Sequence, residues 1–263
     1  MSDAASFERA AVDAAHRAGA VLRRRFGEAL RVEAKGTHDF VTEVDREAEA
    51  AVLGHLRSLF PGHAFMAEES APTAAGGGGY RWVVDPLDGT TNFIHGVPTF
   101  AVSVAVEDEE GLAAGAIVDP CRDEVFAARR GGGARLNGAS IVVARPESLQ
   151  TALLATGFPF RELSRLPGYL EAFEAFCRST SGLRRAGAAS LDLAYTACGR
   201  YDGFFEVGLS PWDVAAGALL VTEAGGRVTD TAGGPGFLAT GSIVAAGPTL
   251  HAAMIAVTGP SLG

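Results

Sequence analysis

The chain has 263 residues, 48% of them apolar and 20% charged, enough to bury a large core as one domain or as two closely joined halves. A formal net charge of −9 argues against nucleic acid and acidic membrane surfaces as partners, and no run approaches the ~20 apolar residues of a membrane span. Three widely spaced cysteines (Cys121, Cys177 and Cys198) and six histidines without ligand spacing argue against a disulfide framework or a zinc site, and fit reduced thiols in the cytoplasm.

Phe7, Ala11, Ala14, Ala18, Val21 and Leu22 recur at helical spacing, and Gly27 supplies a stop. The basic residues Arg23, Arg24 and Arg25 follow this pattern instead of preceding an apolar run, so the N-terminus does not read as a secretion leader. Lys35 is the only lysine among 22 basic residues, which hints at a need for a compact ammonium in place of a guanidinium fork. Thr42 and Asp45 read as caps for a second helix over about 43–59, closed by Phe60-Pro61-Gly62. Glu68-Glu69 taken alone is a charged loop, and the glycine-rich run 74–79 is a flexible one beside it. Strands are predicted over 80–84, 99–107, 112–119 and 124–128, with turns at Gly131-Gly132-Gly133 and Asn137-Gly138. The second half alternates: a strand over 152–156, helices near 168–177 and 190–199, a strand over 203–206, a helix at Asp213, a strand over 243–246 and a last helix. Periodicity alone supports a mixed α and β fold with helix-covered sheets.

The most specific stretch runs from Trp82 through Asp85-Pro86-Leu87-Asp88-Gly89-Thr90-Thr91-Asn92 to Phe93. Its apolar start reads as a buried strand ending on Asp85, after which Pro86 fixes a turn. Asp88 follows, Gly89 lets the backbone approach a ligand, and Thr90-Thr91-Asn92 offer cap side chains to a helix. Two carboxylates on a rigid turn can share hard cations such as Mg²⁺, and a helix start beside them supplies N–H groups for an anion. Without its flanks, the same string is an ordinary Asp-Pro turn.

With them, it resembles the D-P-[IL]-D-G-T-x-N-F motif of the inositol monophosphatase family. The segment Ala67-Glu68-Glu69-Ser70 is similar to the family's G-E-E-S, with alanine in place of glycine, and Trp212-Asp213-Val214-Ala215-Ala216-Gly217 followed by Glu223-Ala224-Gly225-Gly226 resembles its W-D-x-A-A-G and E-A-G-G. Lys35 to Asp45 resembles a further family segment, which makes Lys35 and Asp45 auxiliary site residues. The resemblance covers nearly the whole chain and implies a layered α-β-α-β-α sandwich of the inositol monophosphatase and fructose-1,6-bisphosphatase type. It divides into halves 1–145 and 146–263 that form one catalytic unit. It also implies two or three Mg²⁺ ions per active site, held by Glu68, Asp85, the Leu87 carbonyl, Asp88 and Asp213, with Glu68, Asp88 and Thr90 as catalytic groups. Asp213, in the first turn of a helix, reads by itself as a cap or dipole partner.

For the substrate, the resemblance places the N–H groups of Gly89 and Thr90 on the phosphate, Arg184, Gly187 and Ala189 beside the alcohol, and Asp213 and Glu206 within reach of its hydroxyls. The Arg184-Arg185 pair reads equally as a solvated turn or a subunit contact. The expected activity is Mg²⁺-dependent hydrolysis of inositol 1-phosphate, with histidinol phosphate, fructose 1,6-bisphosphate and NADP as alternative substrates and a homodimer as the implied assembly. Some bacterial relatives act as RNA-polymerase-associated regulatory factors, a binding role for which Phe158-Pro159-Phe160 and Arg184-Arg185 are candidate surfaces. The complete carboxylate set ranks the phosphatase ahead of that role.

Overall fold

The computed structural model describes residues 3–36, 39–72 and 79–263, and the side chains of Asp3, Lys35 and Asp39 lie outside that description. The predicted glycine-rich loop falls mostly on residues 73–78 and is likewise outside it. Helix α1 (Asp3–Arg25) buries the Phe7, Ala11, Ala14, Ala18 and Leu22 stripe. A short antiparallel pair, β1 (Val32–Gly36) and β2 (Asp39–Thr42), leads into α2 (Glu43–Leu59), which starts on a capping box. The backbone N–H and hydroxyl of Thr42 both donate to Asp45 Oδ2, while the Thr42 hydroxyl accepts from the Val44 N–H. The capping reading of both residues therefore holds.

A seven-stranded sheet follows: β3 (Ala64–Ala67), β4 (Arg81–Asp88), β5 (Ala101–Asp108), β6 (Gly111–Asp119), β7 (Glu124–Arg129), β8 (Ala134–Leu136) and β9 (Ala139–Ser140), neighbours in that order. Only β3 and β4 are parallel; the rest is an antiparallel meander. Between β4 and β5 lies the five-residue helix α3 (Thr90–Ile94). The second sheet contains β10 (Leu153–Thr156), β11 (Gly182–Arg184), β12 (Gly203–Val207), β13 (Arg227–Thr229) and β14 (Ser242–Ala246), in the order β11-β10-β12-β14-β13. Its helices are α4 (Leu166–Ser179), α5 (Ala189–Ala197), α6 (Pro211–Glu223), α7 (Phe237–Thr240) and α8 (Pro248–Leu262).

Strand alternation assigns the layers. Trp82, Val84, Val102, Val104 and Val106 pack on α1 and α2. Val83, Ala105, Ile117 and Phe126, on the opposite face, pack on α5 and α6, and these helices reach the second sheet through Phe204, Ile243 and Ala245. Phe205, Val244 and Ala246 then meet Tyr169 and Phe176 of α4 and Leu250 and Met254 of α8. The result is the α-β-α-β-α sandwich, with all of α5 and the Asp213 to Val221 stretch of α6 buried between the sheets. Among the described residues no helix is long and apolar enough to cross a membrane.

Two local expectations are corrected. Pro86 does not end the strand, which continues to Asp88 with a register break between Asp85 and Asp88. Proline has no N–H to contribute to the ladder, and a bulge is where a strand tolerates it. Nor do Thr90, Thr91 and Asn92 cap α3: its N-cap is Gly89 in the left-handed region, with no side-chain cap. The Asn92 amide instead donates to the carbonyls of Thr99 (2.7 Å) and Ala186 (2.9 Å), tying the first half to the segment before α5.

Candidate active site

The bulge in β4 is what makes the site. Asp85 and Asp88 are three residues apart and would point to opposite faces of a regular strand. Their partners Ser103 and Ala101 are only two apart, so one residue is extra on β4, and both carboxylates line the same cleft. Gly89 then turns the chain at φ +92°, where an added Cβ would come within 2.9 Å of the Thr99 carbonyl oxygen and 3.3 Å of that of Gly187. Glycine is required there for both its conformation and its lack of a side chain.

Glu68 follows β3, its N–H continuing the parallel pairing by donating to the Val84 carbonyl (3.2 Å). Asp213 arrives from the other half on α6, where its Oδ2 accepts from the Ser210 N–H (2.7 Å). It is therefore both the carboxylate of the α6 capping box, whose N-cap is Ser210, and a cleft carboxylate. Asp88 is held from the opposite half as well: Ser190 of α5 donates its N–H (2.7 Å) and its hydroxyl to Oδ2. Asp85 Oδ1 accepts from the Leu87 N–H (2.9 Å). The Thr90 hydroxyl lies 3.0 Å from the Leu87 carbonyl oxygen and 3.1 Å from Asp45 Oδ1, so the buried cap of α2 also reaches the site.

The cleft encloses about 440 Å³, and Glu68, Asp85, Leu87, Asp88, Gly89, Thr90, Gly187, Ala189, Glu206 and Asp213 all line it. Arg184 does not. It is exposed at the end of β11 with its guanidinium on the Leu183 carbonyl, and the arginine facing the cleft is Arg185. Arg185 stacks over the rings of Phe158 (5.5 Å) and Phe160 (5.3 Å), so the predicted surface segment 158–160 furnishes a cleft wall, with Phe160 also open to solvent. Lys35 lies on β1, its side chain outside the described residues.

Sequence reasoning placed Ser190 only at the end of the 184–190 stretch beside the substrate alcohol and did not foresee its bonds to Asp88; it missed Arg161. The Arg161 guanidinium lies 3.7 Å from Glu68 and 3.9 Å from Asp213. The signal available was its place just after β10, at the carboxyl end of a parallel strand, where α/β proteins gather ligand-binding groups.

Burial first, then the neighbouring carboxylates, pushes the Asp85 carboxyl well above its ordinary range. Burial likewise raises Asp88 to about 6 against the Ser190 hydrogen bonds, and raises Asp213 to about 6 with Asp88 adding to it. Glu206 is pushed up to about 8 by burial, with Arg185 opposing. A carboxyl whose folded pKa is raised stabilises the fold below its unfolded pKa, and that stability is lost as pH rises through the folded value. The metal-free protein is therefore expected to melt several degrees higher at pH 5.5 than at pH 8.5, most of the loss falling between pH 6 and 8. Calorimetry in a chelator checks this, and saturating Mg²⁺ should flatten the profile.

Among the described residues no group of three or more His, Cys, Asp or Glu side chains is gathered tightly enough to hold a metal ion as it stands. Ser190, Ser210 and Leu87 each engage one oxygen of a cleft carboxylate, and the Arg161 guanidinium lies within ion-pairing distance of Glu68 and Asp213. The chemistry of the set nonetheless fits a hard divalent cation: the donors are all oxygen, and Glu68, Asp85, Asp88 and Asp213 are carboxylates that line one cleft.

A five-layer sandwich whose central cleft collects carboxylates from both sheets defines a protein of the inositol monophosphatase and fructose-1,6-bisphosphatase fold class. Within that class the chain belongs to the inositol monophosphatase family, whose model matches residues 3–260. It is 50% identical over 258 residues to a Pseudomonas aeruginosa protein named Nus factor SuhB, covering 96% of this chain and 95% of the relative. The structure of the extragenic suppressor protein suhB from Bartonella henselae superimposes with a TM-score of 0.92 at 41% identity, covering 95% of this chain and 97% of that one. An inositol monophosphatase from Anabaena gives a TM-score of 0.87 at 38% identity, covering 97% and 96%. The higher identity to a protein named as a Nus factor reverses the ranking drawn from the motifs, which placed the phosphatase first.

Proposed function

We propose that this chain is a transcription-associated factor of the SuhB kind that carries a working metal-dependent phosphomonoesterase cleft. The observation that supports the regulatory role is the 50% identity to the Nus factor SuhB of Pseudomonas aeruginosa across almost the full length of both chains. The test is retention of RNA polymerase from a bacterial extract by the immobilised chain, run in parallel with Asp88→Asn. Retention by both supports a binding role separate from turnover, and retention by neither contradicts it.

The phosphatase reading is favoured by the carboxylates that line one cleft. Glu68, Asp85, Asp88, Asp213 and the Leu87 carbonyl would hold Mg²⁺, two or three ions, which when bound polarise a phosphoryl group, acidify water and stabilise the leaving oxygen. The N–H groups of Gly89 and Thr90 bind phosphate oxygens at the start of α3. The Thr90 hydroxyl, within hydrogen-bonding distance of Asp45 and Leu87, acts with Glu68 to orient the attacking water. Gly187 and Ala189 wall the alcohol side. Glu206, whose carboxyl burial pushes up to about 8 in the metal-free cleft, offers a hydrogen-bonding group to a substrate hydroxyl. Inositol 1-phosphate is the first substrate to expect, followed by histidinol phosphate, fructose 1,6-bisphosphate and NADP. A cytoplasmic homodimer is the working form in this reading.

A further inference from the structure

The cleft already contains a cation of its own. Arg161 belongs to the turn that follows β10, closed by the Glu162 N–H on the Pro159 carbonyl (3.1 Å). Its guanidinium places one nitrogen 3.7 Å from Glu68 Oε1 and another 3.9 Å from Asp213 Oδ2. Those carboxylates come from different halves, one after β3 and one on α6. The side chains of Glu68 and Asp213 are each only 9% exposed, whereas that of Arg161 is 41% exposed. The two carboxylates are thus fixed in the floor, while the arginine leans in from a half-open rim on an exposed turn. A planar guanidinium presents its N–H groups in a fixed, spread fork that can face two separated carboxylates at once, where an ammonium is a compact point charge.

We propose that Arg161 is a built-in counter-cation that clasps Glu68 to Asp213 in the metal-free protein and must swing out before a divalent cation can be held there. The inference rests on the metal-site reading above and adds a competitor to it. The clasp offsets repulsion among the cleft carboxylates when no metal is present, and its displacement weakens apparent metal affinity. It also accounts for a cleft whose donors have the right chemistry for a metal but are not gathered around one point.

The test is a Mn²⁺ titration of the full-length protein followed by the electron paramagnetic resonance of free Mn²⁺, with no substrate present. Arg161→Gln is expected to bind Mn²⁺ roughly three- to tenfold more tightly than wild type, the scale of two partly exposed ion pairs. In chelator the same variant should melt below wild type, and saturating Mn²⁺ should close that gap. Arg161→Lys, which keeps the charge but loses the fork, should fall between the two and carries the test if the glutamine variant does not fold. Wild-type binding that Asp213→Asn weakens but Arg161→Gln leaves unchanged, or reduces, overturns the clasp and leaves the metal site standing. Absence of Mn²⁺ binding in wild type and Arg161→Gln alike overturns both.

Discussion

Asp88→Asn is expected to cut Mg²⁺-dependent phosphate release by roughly a thousandfold or more while raising the melting temperature of the metal-free protein. The two effects have one cause. Asp88 is buried, and burial raises its pKa to about 6, with Glu68 adding to the rise. At neutral pH it is therefore an ionised group under strain, and a neutral amide of the same shape relieves that strain. Asparagine can still accept from the Ser190 N–H and hydroxyl through its carbonyl oxygen, so the link to α5 survives. What it cannot supply is the negative charge that holds a divalent cation against the phosphoryl group, and removing a single electrostatic stabiliser of a transition state commonly costs 10²–10³ or more. Activity assays beside calorimetry in chelator check both halves. A variant that loses activity because it unfolds would contradict the account as surely as one that keeps its activity.

Gly89→Ala is expected to damage the fold and the cleft together. At φ +92° a Cβ costs about 1–3 kcal/mol in backbone strain, before any contact is counted. It would also press on the Thr99 carbonyl oxygen at 2.9 Å and the Gly187 carbonyl oxygen at 3.3 Å, both backbone atoms with little freedom to yield. The same two carbonyls lie beside the Asn92 amide, so the strain passes straight to the tie between the halves. A drop in melting temperature of roughly 5–10 °C follows for a chain of this size. Phosphate release should fall far more than stability does, because Gly89 adjoins both Asp88 and Thr90. A thermal melt and a turnover assay on one preparation separate the two.

Much of this was legible in the sequence, for identifiable reasons. Long elements with a strong period, such as the α1 stripe and α2 with its Thr42–Asp45 cap, declare themselves because one face must be buried. The cleft carboxylates were legible because each sits in a distinctive local string. The short strands β1, β2, β3, β8, β9, β11 and β13 were not, since two to five residues carry too little periodicity to separate strand from loop. The bulge in β4 was missed because Pro86 reads locally as a turn, and only pairing with β5 keeps the chain extended to Asp88. The Ser190 contact with Asp88 and the whole role of Arg161 were missed for a related reason: each is set by a residue on another layer. Arg184 and Arg185 illustrate the limit of a motif, since neighbouring arginines point to different environments and only the fold decides which one faces the cleft.

The most direct test of a working metal-dependent cleft is phosphate release by the wild-type protein, with and without Mg²⁺, from inositol 1-phosphate, 3′-phosphoadenosine 5′-phosphate, fructose 1,6-bisphosphate and histidinol phosphate in parallel. Release that requires Mg²⁺ and is greatest from inositol 1-phosphate is the predicted result. Release that is equal with and without the metal would contradict the role given to Glu68, Asp85, Asp88 and Asp213.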